Sequence, residues 1–83
     1  MRTAGIKSEL VDVEVPTGSS VVGKQIVGAG FPKGALIVLI GRGSEFIVPN
    51  GGTVIELGDR LLMLAGEEDL TKTRSIVESE GDQ

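Results

Sequence analysis

Arg42 is the polar residue whose type and setting most clearly suggest binding chemistry. It stands between Gly41 and Gly43, directly after six uncharged apolar residues at positions 35–40. A guanidinium beside accessible backbone N–H groups can hold a phosphate or a carboxylate through two parallel hydrogen bonds. The alternative interpretation is an arginine that only keeps a chain reversal soluble. The residues alone leave both open.

Residues suited to catalysis are scarce. The chain has no His and no Cys, which removes the commonest general base near neutral pH and the thiolate nucleophile. Ser20 and Lys24 are spaced for a Ser–Lys pair, but a helix-capping serine beside a solvated lysine is the favoured interpretation of both. The acidic residues 67–69 suit the start of a helix better than a hard-cation site. We therefore predict that the chain is not an enzyme and that it holds no metal.

The glycine-rich segments do not have the spacing of nucleotide-binding loops. In the segment 28–34 the third glycine falls one place late for the dinucleotide fingerprint, and no phosphate loop ending in Gly-Lys-Ser/Thr is present. The formal net charge of −4 argues against a nucleic-acid partner, because such binding depends on neutralising phosphates with Lys and Arg. We predict no nucleic acid among the partners.

The elements that must position Arg42 form a β-hairpin. The apolar run 35–40 predicts a strand buried on both faces, residues 41–44 a turn, and residues 45–48 a return strand that Pro49 ends. Upstream, residues 9–15 alternate between apolar and acidic types, which predicts a strand with one covered face and one wet face.

The remaining segments predict two helices and further extended chain. A short helix is expected after Ser19 or Ser20, with Gly23 tolerated by close approach to the sheet. A second helix is expected after Gly66, with a buried face made by Leu70, Thr73 and Val77. Between them, residues 53–57 suit a short strand or an extended connection, and residues 60–65 form a second apolar strand.

These elements predict an α+β fold: a small, mixed, mostly antiparallel sheet of four to five strands covered by two helices. Residues 8–78 are expected to form the domain, residues 1–7 a disordered lead-in and residues 79–83 a polar tail. The chain is expected to be soluble, because its longest apolar run is far below the roughly 20 residues of a membrane span. Two continuous apolar strands present more apolar surface than two helices cover, which predicts a partner or a homodimer.

The order of these motifs resembles the TrkA C-terminal domain, also called the RCK C-terminal domain. The resemblance begins with the run Pro-Thr-Gly-Ser-Ser-Val-Val-Gly-Lys at 16–24 and continues with the apolar strand that ends in Arg42-Gly43. The return Ile-Val-Pro at 47–49, the segment from Thr53-Val54 to Gly58-Asp59, and a closing strand and helix complete it. It covers about residues 10–77.

This resemblance implies a regulatory, non-enzymatic domain in the cytoplasm. The domain would be part of, or associated with, an inner-membrane potassium channel, potassium uptake system or cation/proton antiporter. The sequence of residues 37–51 is most similar to that of the domain at the end of potassium/proton antiporters, which implies that this chain is the C-terminal part of such a protein. The resemblance also implies a homodimer, no fixed cofactor, and in some members a ligand such as cyclic di-AMP at the dimer interface. Carried over by position, the ligand-binding candidates are Ile37, Val38, Arg42, Ile47, Val48 and Pro49.

Two hypotheses of different classes follow. In the first, the dimer binds a small anionic effector, and binding changes the dimer geometry felt by a transporter. In the second, the chain is a purely structural dimerisation module without a ligand. The two differ in whether any small molecule stabilises the folded protein.

Overall fold

The computed structural model describes residues 8–81, which fold into a four-stranded sheet and one α-helix. The elements are β1 (Ser8–Glu14), a single turn of 3₁₀ helix (Ile26–Gly28), β2 (Leu36–Arg42), β3 (Glu45–Ile47), β4 (Arg60–Gly66) and α1 (Glu67–Glu78). The strands lie in the order β1-β4-β2-β3, and each neighbouring pair is antiparallel. The predicted α+β class is confirmed. The disordered lead-in predicted for residues 1–7 lies outside the described residues, as do residues 82 and 83 of the predicted tail, so these boundaries stay predictions.

The predicted hairpin is present with a tighter turn. Arg42 is the last residue of β2 and pairs with Glu45, so Gly43 and Ser44 alone make the reversal. Gly43 has φ of 61°, which fits the first central position of a type II′ turn and is unfavourable for other residues. Arg42 therefore ends a strand instead of lying on the turn, because pairing with β3 and β4 extends β2 through Gly41.

One side of the sheet, the inner face, carries the core. Helix α1 packs on β4 and β1, with Leu70, Thr73 and Val77 buried as its sequence period predicts. The rest of the inner face lies under the long loops that precede β2 and follow β3. The core cluster joins strand, loop and helix residues: Val13, Val15, Val21, Ala29, Ile37, Ile40, Ile55, Leu61, Met63 and Val77.

The other side, the outer face, has no helix or loop over it among residues 8–81. Strand pairing aligns its residues in three rows: Leu10, Leu64 and Leu36, then Asp12, Leu62 and Leu39, then Glu14, Arg60, Gly41 and Phe46. The prediction that residues 35–40 are buried on both faces is thus wrong, since Leu36 and Val38 are exposed. The continuous apolar run reflects an uncovered apolar face. A register shift between Ile37 and Leu39 marks a bulge at Val38.

The first predicted helix is not formed. Gly23 has φ of 85°, in the left-handed region that breaks a helix, and a Cβ there would meet nothing within 4 Å. The glycine therefore serves the backbone conformation and not a close approach to the sheet. The amides of this segment bond across to the loop after β3: Gly23 N–H donates to the carbonyl of Ile55 at 2.8 Å, and Ile55 N–H to that of Lys24 at 2.9 Å.

The loop after β3 is the extended connection that the sequence allowed. Within it, Val54 makes one isolated bridge with Gln25, and Ile55 is fully buried. This segment covers the part of the inner face that the first helix is predicted to cover. None of the helices between residues 8 and 81 is long and apolar enough to cross a membrane.

Candidate functional site

The guanidinium of Arg42 is held by a buried carboxylate at the edge of the inner face. Its Nε donates to Asp59 Oδ1 at 2.8 Å, and one terminal nitrogen donates to Asp59 Oδ2 at 2.7 Å, which is the two-point geometry of an arginine–carboxylate pair. The same nitrogen donates to the carbonyl of Val54 at 2.9 Å. The other terminal nitrogen lies 3.4 Å from Glu56 Oε2. Arg42 therefore ties the end of β2 to the loop that precedes β4.

Asp59 is fully buried and stays ionised in this setting. Burial by itself would raise the pKa of Asp59, but the hydrogen bonds from Arg42 and from the backbone of Glu56 outweigh it, and the pKa lies below its usual value. The hydrogen bond to Asp59 raises the pKa of Arg42 in turn. The Glu56 N–H donates to Asp59 Oδ2 at 2.9 Å. Both carboxylate oxygens of Asp59 thus accept hydrogen bonds from groups of the protein.

A cavity of about 360 Å³ opens at the other end of β2. Most of its lining residues are of apolar types, including Phe31, Ile37 and Pro49, and Lys33 contributes a positive charge. The remaining lining comes from the 3₁₀ turn and the glycine-rich bend after β3, namely Ile26, Val27, Pro32, Ala35, Leu36, Asn50 and Gly51. A concave wall that mixes apolar side chains, polar groups and one cation suits a small anionic ligand with a flat apolar part.

The six predicted site residues fall into three groups. Ile37 and Pro49 meet in this cavity. Arg42 lies five residues along β2 from Ile37, roughly 16 Å at strand rise, and is engaged with Asp59. Ile47 packs against the core, while the side chains of Val38 and Val48 are exposed outside the cavity lining. A direct role of any of the six residues in binding a ligand stays a prediction.

The contacts of three residues in this region are not predicted by the sequence. Asp59 ends the segment that begins at Thr53, and no local pattern marks it as the partner of Arg42. Lys33 carried no pattern that set it apart from other surface lysines. Ser19 was expected to begin a helix, whereas its hydroxyl donates to the carbonyl of Val77 and that of Ser20 to the carbonyl of Ile76 at 3.0 Å. Both serines thus cap the end of α1.

A wider depression of about 660 Å³ lies beside these serines, lined by residues 17–20 and 80–81 with Val22, Lys24 and Leu57. The first residues beyond α1 close its floor: Ser20 N–H donates to the carbonyl of Ser79, and Gly81 N–H to that of Gly18 at 2.7 Å. The depression lies where hydrogen bonds join the end of α1 to the loop after β1. It contains none of the six predicted ligand-binding residues.

The fold and the cavity define a small antiparallel α+β domain with a ligand-sized recess. The model of the TrkA-C domain family matches residues 10–78. The chain therefore belongs to the TrkA-C domain family, as its motifs predicted.

Curated relatives are potassium uptake proteins of archaea. The chain is 36% identical over 61 residues to Trk system potassium uptake protein TrkA homolog 1 of Methanosarcina mazei, which covers 74% of this chain and 14% of that protein. It is 32% identical over 73 residues to the Trk system potassium uptake protein TrkA homolog of Archaeoglobus fulgidus, which covers 88% of this chain and 17% of that protein. The chain thus spans about a sixth of the length of these relatives.

Solved structures share the fold. The RCK_C domain dimer of S. agalactiae BusR in complex with c-di-AMP has a TM-score of 0.73 at 28% identity, over 82% of this chain and 93% of that one. The RCK C domain of potassium transport protein KtrA in complex with c-di-AMP has a TM-score of 0.66 at 31% identity, over 81% and 82%. S. agalactiae BusR in complex with its busA-promotor DNA has a TM-score of 0.74 at 26% identity, but this chain covers only 41% of it.

Proposed function

We propose that the chain is the regulatory domain of a potassium transport system, that it forms a homodimer, and that it binds a small anionic effector in the cavity beside Ile37 and Pro49. Membership of the TrkA-C family and the potassium uptake relatives support the regulatory role. The regulated partner would be a membrane-embedded cation transporter on the same or another chain, which would place the domain in the cytoplasm. The curated relatives are uptake proteins. The hypothesis that this chain comes from an antiporter therefore rests only on the sequence of residues 37–51.

The cavity carries the effector part of this proposal. Two structural neighbours are RCK_C domains in complex with c-di-AMP, an anionic ligand with two flat bases. The recess here combines an aromatic ring at Phe31, apolar walls at Ile37 and Pro49, and the cation Lys33. Aromatic rings offer a surface for base stacking, and a lysine offers charge to a phosphate.

Lys33 is the better source of charge for the effector. Withdrawing Arg42 toward a ligand would leave Asp59 buried without its partner, which typically costs about 3–5 kcal/mol. Arg42 instead holds the loop from Val54 to Asp59 against the end of β2. A direct contact of Arg42 with the effector remains the prediction that the family resemblance gave.

The homodimer is supported by a domain-sized neighbour. The BusR structure described as an RCK_C domain dimer is covered over 93% of its length by this chain, so that dimer forms without further domains. The chain carries none of the histidine and cysteine that commonly act in catalysis, and we infer a regulatory and not a catalytic role. One neighbour binds promoter DNA, but the net charge of −4 favours no nucleic-acid partner here.

Thermal unfolding with and without ligand tests the effector site. The purified chain is titrated with c-di-AMP, and with adenine nucleotides and NAD(H) for comparison, because only a ligand that binds the native state raises Tm in a concentration-dependent way. We expect a rise with c-di-AMP that Lys33→Gln reduces. The exposed Lys72 on α1 gives a matched control, and Lys72→Gln should keep the full rise.

A second function is favoured by the uncovered outer face. A structural dimerisation module without any ligand would also need an apolar contact surface on the domain. It predicts a stable dimer whose Tm responds to none of these compounds. A rise that is equal in wild type and Lys33→Gln would instead place the effector elsewhere.

A further inference from the structure

We propose that the bend at residues 50–52 holds the phosphate oxygens of the ligand in the proposed effector cavity, and that Asn50 is a residue that determines which ligand is accepted. Asn50 and Gly51 line this cavity together with Lys33. This inference rests on the proposed function, because it names the groups that select the effector in the same cavity. The ligand class that it defines is a compound with a phosphate or phosphodiester beside a flat apolar part.

Hydrogen bonds within the bend fix the orientation of Asn50. Its Oδ1 accepts from the N–H of Gly52 at 2.8 Å, and its own N–H donates to Thr53 Oγ1 at 2.9 Å. The N–H of Thr53 donates in return to the carbonyl of Asn50 at 3.0 Å. Because the N–H of Gly52 can only donate, the side-chain atom that faces it is the amide oxygen. The group that Asn50 retains for a ligand is therefore the donor Nδ2.

The backbone of the bend has the same polarity. The carbonyl of Gly51 accepts from the N–H of Val27 at 3.0 Å, whereas the N–H of Gly51 donates no hydrogen bond to any group within residues 8–81. Lys33 adds a positive charge and further N–H donors. Of the described residues that line the cavity, none carries a carboxylate. The cavity thus presents donors and positive charge in a chain whose net charge is −4, and it favours a group that only accepts, such as a phosphate oxygen.

A donor held in place discriminates between ligands because a mismatched polar group lowers affinity. A phosphate oxygen accepts from Nδ2, whereas a donor group of a ligand at the same place would face another donor. Asn50 is exposed, so water satisfies its amide when the ligand does not, and the expected discrimination is about tenfold and not larger. Adenosine has the flat base of c-di-AMP without a phosphate, and we expect it to bind at least tenfold more weakly.

Calorimetric titration of the purified chain with c-di-AMP tests the role of Asn50. Asn50→Asp keeps an oxygen that can accept from the N–H of Gly52, so the bend should remain, but it replaces the amide donor with a carboxylate. We expect the dissociation constant for c-di-AMP to rise by about tenfold or more. Gln25→Glu makes the same amide-to-carboxylate change at an exposed residue outside the cavity lining, and should leave the constant within about threefold.

A neutral variant separates the loss of the donor from the added charge. Asn50→Ser keeps a hydroxyl oxygen that can accept from the N–H of Gly52 but lacks the amide. We expect its dissociation constant for c-di-AMP to lie between those of wild type and Asn50→Asp. Circular dichroism and the Tm of each variant without ligand check that the fold is retained.

The possible failures of this inference and of the proposed function are distinguishable. Wild-type affinity in Asn50→Asp, together with weaker binding in Lys33→Gln, would overturn the role of the bend and leave the effector cavity in place. An equal loss in Gln25→Glu would show that only net charge matters, and adenosine bound as tightly as c-di-AMP would show that the base alone is recognised. Each of these results would overturn the assignment of the phosphate to the bend. No binding of c-di-AMP by the wild-type chain would overturn the effector cavity and this inference with it.

Discussion

The two faces of the sheet are built from similar types of apolar residue, but their surroundings differ. On β4, Leu61 and Met63 are fully buried on the inner face, whereas Leu62 and Leu64 on the outer face remain partly open. The inner face is covered by α1, by two loops and by the Arg42–Asp59 pair. The outer face has no cover from the described part of the chain. Composition along a strand therefore shows that both faces are apolar, while only the placement of other segments decides which one is core.

The largest expected difference between the faces lies in leucine truncation. Leu61→Ala removes a fully buried inner side chain and should lower the free energy of unfolding by about 2–5 kcal/mol. Leu10→Ala on the outer face should cost less than about 1 kcal/mol in the monomer. Urea unfolding, at a protein concentration below the dimer dissociation constant, measures both losses. Equal losses would mean that the outer face is packed within a single copy.

The two arginines at neighbouring strand ends offer the next contrast. Arg42→Ala leaves the buried carboxylate of Asp59 unpaired and should cost about 3 kcal/mol. Arg60 starts β4 on the outer face and is exposed, so Arg60→Ala should cost less than about 1 kcal/mol. Denaturant unfolding of each variant gives the comparison. A loss for Arg42→Ala no greater than that for Arg60→Ala would show that Asp59 finds other partners.

The serine that caps α1 should have a smaller effect. Ser19→Ala removes the hydroxyl that donates to the carbonyl of Val77, and it leaves that buried group without this partner, at a cost of about 1 kcal/mol. Thr17 is exposed in the same loop, and Thr17→Ala provides the control. Amide hydrogen exchange in the last turn of α1 should rise in the first variant only. Unchanged exchange would mean that Ser20 alone fastens the helix end.

The mildest test uses acid. Because the pKa of Asp59 is lower in the folded than in the unfolded chain, its contribution to stability is complete above the usual aspartate value near 3.9 and is lost as the pH falls through the folded pKa. Between about pH 5 and pH 2, the free energy of unfolding should therefore fall more steeply with decreasing pH in wild type than in Asp59→Asn. Parallel curves for wild type and Asp59→Asn would contradict the pair's electrostatic role.

The parts predicted correctly from the sequence rest on local chemistry. Two glycines between apolar runs predict the β2–β3 hairpin, and the spacing of Leu70, Thr73 and Val77 predicts the buried side of α1. Gly23 explains the main error. Apolar residues near it suggested a helix, but its positive φ and the partners offered by Ile55 hold the segment as a bonded loop. Bonds to a segment some thirty residues away cannot be read from a local pattern.

The site follows the same division. The sequence by itself determined that an arginine follows the central apolar run, that the chain lacks the usual catalytic residues, and that its motifs resemble the TrkA-C family. Only the tertiary structure decided that Arg42 pairs with Asp59, that Ile37 and Pro49 meet Lys33 in one recess, and that no segment within residues 8–81 covers one apolar face. Local patterns reflect backbone preference and the alternation of side chains. Pairing between distant residues depends on how the whole chain packs.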